Sequence, residues 1–259
     1  MFQRSERRTV LSQAFARSPL RVLTPRNHGH GSWAYLSSLG GGMVDGDRVD
    51  LSVAVEANAC AFLSTQGPTR VYRSPRGCRN VLRARVDDGA LFAWVPDPLA
   101  LFAGARLEQS TEIELHPGAS LVFVDVLTAG RIAFGERWAF GRLDSTLRVR
   151  RERKLIHERL LLDPDAGPIP ARMGRFDAFA TVLLAGPLLR AAAEAWGERV
   201  RGVPLRPGAE LVIAPSLIEH DVWLFRVAGI SVERVSHAIR DALGFLPGLL
   251  GDNPFERRA

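Results

Sequence analysis

GGGMVDGDRVDLSVAVEANACAFLSTQGPTRVYRS, residues 40–74, decides how this chain is read. It opens on a glycine run and turns through Asp45-Gly46-Asp47. From Asp47 the pattern has period two: Val49, Leu51, Val53 and Val55 share one face, while Arg48, Asp50, Ser52 and Glu56 do not. That alternation predicts a half-buried strand. A tight turn follows, then a second strand over Cys60–Thr65 and a polar segment with Gln66, Arg70, Tyr72 and Arg73. A phosphate-binding loop would need a helix after the glycines, and here a strand follows. The glycines are therefore read as a sheet corner that allows positive φ or close backbone approach.

Outward from this stretch, strand signals recur at Leu20–Leu23, Trp33–Leu39, Val81–Val86, Leu91–Val95, Leu107–Leu115, Leu121–Leu127, Trp138–Arg148 and Lys154–Leu162. No amphipathic helix separates them, which argues against a βαβ architecture over the first two-thirds. A turn followed by a small residue repeats at Ala59, Ala90 and Ala119, spaced 31 and 29 residues apart, and again at Ala209. A period near 30 predicts stacked β layers in which each coil buries its neighbour's apolar face. The C-terminal third reads differently. Helices are expected over Leu188–Arg199 and over Val232–Leu243, the latter with Ser231 as N-cap. Strands are expected at Glu210–Ile213 and Val222–Val227. The fold class is mainly β: a stacked-sheet, β-helix-like scaffold with two helices and a mixed α/β end. The reading is one domain, with a loosely ordered arm at 1–18, the β scaffold at 19–165, the α/β part at 166–250 and a mobile tail at 251–259.

The chain has 259 residues, 46% hydrophobic and 24% charged, which is globular composition. Its apolar runs fall short of the roughly 20 residues of a membrane helix. The N-terminus has no apolar core of the signal-peptide kind, so a cytoplasmic protein is expected. The formal charge of +6 comes from arginines, Lys154 being the only lysine. They are spread out, and the patch RVRRERKLIHER is read as a solvated face rather than a nucleic-acid surface. Cys60 and Cys78 have neither redox nor zinc spacing. His28 and His30 form a lone His-x-His pair, a weak metal candidate. No nucleophile motif is present. Asp47 is either a turn carboxylate or a functional one. Asp97 sits between Pro96 and Pro98, and Arg131 and Glu136 flank glycine turns.

Taken in order, the segments GGGMVDGDRVDLSVAVEANA, LSTQGPTRVYRS, ALFAWVPDPLALFAGARLEQST and LTAGRIAFGERWAFGRL resemble the UreD family of urease accessory proteins, called UreH in some organisms. The resemblance spans roughly residues 32–162 and loosens after that. Arg70 stands where the family pattern has lysine, and Pro68 stiffens the same loop. The resemblance implies a non-enzymatic maturation factor on a largely β scaffold. It would bind a UreF-like protein, reach a UreG-like GTPase through it, dock on apo-urease subunits and assist nickel insertion. No tightly bound cofactor is implied, only nickel(II) in transit, and no nucleic-acid or membrane partner. The functional set carried over is Asp47, Thr65, Gln66, Tyr72, Arg73, Asp97, Arg131 and Glu136. Asp47, Asp125 and Glu136 are taken to line a polar passage with transient nickel contacts. The rival readings are a small-molecule hydrolase on a β scaffold and a basic nucleic-acid-binding module.

Overall fold

The computed structural model describes residues 1–256. Seventeen strands and four helices follow one another: β1 (Phe2–Ser5), β2 (Arg8–Leu11), β3 (Leu20–Leu23), β4 (Ser32–Ser38), β5 (Arg48–Val55), β6 (Cys60–Thr65), β7 (Thr69–Val71), β8 (Cys78–Val86), β9 (Leu91–Trp94), β10 (Leu99–Leu101), β11 (Arg106–Leu115), β12 (Ser120–Thr128), β13 (Arg142–Arg151), β14 (Arg153–Leu162), α1 (Ile169–Met173), β15 (Ala178–Ala185), α2 (Arg190–Arg201), β16 (Leu211–Glu219), β17 (Val222–Gly229), α3 (Val232–Ala242) and α4 (Leu246–Leu250).

The period near 30 is a structural repeat. Each unit sends one strand into a seven-stranded sheet and the next into a ten-stranded sheet, through the turns that end in Ala59, Ala90 and Ala119. Strands β5, β8 and β11 pair in parallel, as do β6, β9 and β12. The turns stack on one another: Asn58 N–H donates to the Asp88 carbonyl, Leu91 N–H to that of Ala59 and Ser120 N–H to that of Ala90, at 2.8–2.9 Å. Like therefore covers like, and Val53, Ala84 and Ile113 form one buried rung. Ala209 also ends a turn, but it leads into β16, an antiparallel edge strand, and adds no further coil.

The glycine run makes the corner by close approach. A Cβ on Gly42 would lie 2.5 Å from the Arg70 carbonyl and 2.9 Å from the Tyr72 ring. This contact lets Met43 bridge Val71 in parallel and brings residues 40–47 against 69–73.

Both expected long helices are present, and two five-residue helices, α1 and α4, join them. Ser231 caps α3, accepting from Arg234 N–H at 3.3 Å. Helices α2, α3 and α4 cover the outer face of the ten-stranded sheet, where Trp196 stacks on Phe225 at 3.7 Å. The outer face of the seven-stranded sheet is open. There Asp50, Arg83, Glu112 and Arg148 alternate in sign from strand to strand, as a solvated face should.

Three expectations need correction. Residues 1–11 form a hairpin instead of a loose arm: Phe2 is buried and pairs with Val55, because the edge of β5 offers both an apolar slot and unpaired backbone groups. The strand expected from Trp138 begins at Arg142; Trp138 has φ +54° and closes a loop back onto Ala129. Residues 251–256 of the expected tail are docked: Tyr35 Oη donates to the Pro254 carbonyl at 3.1 Å, and Phe255 packs edge-on against Phe62. The remainder of that tail, residues 257–259, lies outside the described residues.

Candidate functional site

Between the two sheets lie two apolar clusters. One contains Leu63, Phe92, Phe123, Leu147, Leu183 and Leu224; the other contains Leu99, Leu107, Leu127, Leu143 and Leu162. A polar band separates them. It arises because several strands carry a polar residue at one inward position of an otherwise apolar face. In β12 the inward series is Leu121, Phe123, Asp125, Leu127, and in β17 it is Val222, Leu224, Arg226. Asp125, Thr181 and Arg226 are register partners on adjacent strands and form one rung. The opposing sheet contributes the rung Asn80, Gln109, Ser145.

The band is bonded across the sandwich. Gln109 Nε2 donates to Asp125 Oδ2 at 2.8 Å and to Ser145 Oγ at 3.3 Å. Loss of water pushes the Asp125 carboxyl up to about 6, partly opposed by the Gln109 hydrogen bond. At one end, Thr65 Oγ1 donates to Asp97 Oδ2 at 3.0 Å and accepts from Asp97 N–H at 2.8 Å. At the other end, Arg226 of β17 pairs with Glu158 of β14, from sheet to sheet.

Of the residues singled out in the sequence, Thr65, Asp97 and Asp125 lie on this band. Tyr72 and Arg131 lie elsewhere, in a surface groove of about 650 Å³ that also takes in Arg70, Phe102 and Glu233. Tyr72 meets Phe102 edge-on at 5.2 Å, and the Arg131 guanidinium lies 4.4 Å from the centre of the same ring. Arg131 Nε donates to Glu136 at 2.9 Å, and Glu136 also accepts from Ala103 N–H at 3.1 Å, so the Glu136 carboxyl is held below its ordinary value chiefly by Arg131. Asp47 accepts from Val44 N–H at 2.8 Å and closes its own turn. Gln66 bonds Ser37 at 2.6 Å, and the Arg73 stem runs beneath Gly104.

Asp47, Asp125 and Glu136 thus belong to separate hydrogen-bonded sets. Among the described residues no group of three or more His, Cys, Asp or Glu side chains is placed to hold a metal ion. The backbones of His28 and Gly31 work as a dock: His28 N–H donates to Asp252 Oδ2 at 2.8 Å, and Gly31 N–H donates to the Leu250 carbonyl, while the His30 carbonyl accepts from Thr9 N–H at 2.7 Å. Both cysteines are free. Sequence reading missed Gln109, Ser145, Thr181, Glu158 and Arg226. The signal was there: Thr181 and Arg226 each interrupt an apolar strand at its inward phase.

The UreD family model, described as UreD urease accessory protein, matches residues 1–259. This chain belongs to the UreD family of urease accessory proteins. It is 48% identical over 259 residues to the urease accessory protein UreD of Sorangium cellulosum, covering all of this chain and 82% of that protein. With the UreD of an Anaeromyxobacter species the identity is 43% over 246 residues, 93% of this chain and 82% of the relative. The rice relative, urease accessory protein D of Oryza sativa subsp. indica, is 30% identical over 279 aligned positions, 96% of this chain and 91% of its own length. The chain therefore carries a urease accessory role. Its β-rich architecture houses the polar band, and no helix among the described residues is long and apolar enough to cross a membrane.

Proposed function

We propose that this chain works in the cytoplasm as a docking partner of apo-urease, together with UreF-like and UreG-like accessory proteins, and that nickel(II) passes along the band between its sheets. The observation that carries the passage is the band itself, a row of oxygen donors crossing an apolar interior. Burying such groups has a cost unless they are bonded or used. Nickel(II) is held tightly by nitrogen and sulfur cages, whereas carboxylate, amide and hydroxyl oxygens hold it weakly enough to let it move on. Asp125 is the central charged donor. Asp47 and Glu136 then serve the turns that shape the corners.

The experiment is nickel loading of apo-urease in cells with this chain deleted, restored, or replaced by Asp125→Asn. Deletion should leave urease without metal, and restoration should load it. Asp125→Asn should lower the nickel content while the chain still co-purifies with its accessory partners. Normal loading in the deletion strain defeats the maturation role, and normal loading with Asp125→Asn defeats the passage. The open face of the seven-stranded sheet speaks against the nucleic-acid reading, because its arginines alternate with carboxylates.

A further inference from the structure

Arg226 is an unusual residue to find at the end of a band of oxygen donors. Its strand is otherwise apolar on the inward face, and its register partners are Thr181 and then, one strand further, Asp125. One terminal nitrogen, Nη2, is ion-paired with Glu158. The other, Nη1, is buried and has no hydrogen-bond partner among the described residues. Glu158 sits on β14, the outermost strand of the seven-stranded sheet, and only β16 lies beyond β17 in the other sheet. The pair is partly exposed, 28% for Arg226 and 34% for Glu158, so it stands at the rim of the sandwich.

We infer that Arg226 is a gate: clamped to Glu158, it closes the β14–β17 rim of the polar band to divalent cations. This rests on the passage reading given above. A guanidinium stays charged throughout the accessible pH range, so it repels a divalent ion at every pH at which the protein folds. Its position has two effects. It places a fixed positive charge at the rim, and it occupies the Glu158 carboxylate, which would otherwise be an oxygen ligand. Its unpartnered Nη1 means that the closed arm lacks one hydrogen bond that an outward position in water would supply. The arm is therefore held by its ion pair rather than by a fully satisfied network, as a movable element requires.

The test is calorimetric titration of the chain, residues 1–259, with nickel(II) alone. Arg226→Gln should bind nickel about tenfold more tightly than the unaltered chain, in the range by which a neighbouring group tunes a metal ligand. Adding Asp125→Asn to Arg226→Gln should abolish the gain, and Arg226→Lys, which keeps the charge, should bind as the unaltered chain does. If Arg226→Gln fails to fold, Glu158→Gln unpins the arm and should give a smaller rise that also depends on Asp125. Nickel binding unchanged by Arg226→Gln and by Glu158→Gln, or a gain that survives Asp125→Asn, overturns the gate. Failure of the passage itself would show separately, as normal urease loading with Asp125→Asn.

Discussion

Asp125→Asn should make the protein more stable at neutral pH. The carboxyl titrates at about 6 in the fold, against an ordinary value of 3.8. Because the folded value is the higher one, the folded chain holds the proton more tightly than the unfolded chain. Stability therefore falls as pH rises from 3.8 to 6, and the loss is complete above that window. A difference of about two units corresponds to about 3 kcal/mol. Residual water around a partly buried carboxylate reduces this to about 2 kcal/mol. Asparagine keeps an oxygen to accept the Gln109 amide and does not titrate. The other carboxylates titrate alike in both proteins, so the difference between the two curves isolates this position. Thermal unfolding followed by circular dichroism from pH 4 to pH 8 is the assay. The variant should match the parent near pH 4 and melt about 4–8 °C higher above pH 7. A melting difference that does not change with pH, or a variant that melts lower at pH 7.5, refutes the desolvated carboxylate.

The other predictions concern places where the fold is tied together. Arg151 and Asp221 are only 10% and 6% exposed, and Arg151 Nη1 donates to both Asp221 oxygens at 2.9 and 3.0 Å. Arg151→Met should cost about 3–5 kcal/mol in urea unfolding by stranding a buried charge, and adding Asp221→Leu should recover most of it; a single-variant loss under about 1 kcal/mol would contradict the burial of the pair. A Cβ on Gly29 would lie 2.3 Å from the Leu250 carbonyl and 2.7 Å from the Gly251 carbonyl carbon. Gly29→Ala should therefore cost about 1–3 kcal/mol, with hydrogen-exchange protection lost first in residues 246–256. Protection unchanged there would mean that the 28–31 loop does not hold the C-terminal segment.

The coil was legible because its determinants are local. Period-two alternation and the recurring turn before Ala59, Ala90 and Ala119 each act within a few residues, and the stacked turns follow from them. The N-terminal hairpin was not legible, since Phe2 gains its burial from β5, more than forty residues on. Nor was the docking of Phe255, whose slot beside Phe62 exists only once the coil is built. At the candidate site, Thr65 and Asp97 could be singled out one by one, but their mutual hydrogen bond depends on β6 and the turn after β9 lying one coil apart. Asp125, named only as a passage residue beside the resemblance, is visible in the sequence as a charge in an apolar strand. Gln109 did not, because in a strand with Glu108, Ser110 and Glu112 a further polar residue looks like part of the solvent face.

Strand count also works as a ruler in this molecule. From Thr65 on β6 to Arg226 on β17 the band crosses β9, β12 and β15, and strands lie about 4.8 Å apart, so it is about 19 Å long. Loop insertions at the corners leave that span alone. Gaining or losing one coil changes it by a single strand spacing, so the distance between the two ends of the band is quantised by the number of repeats.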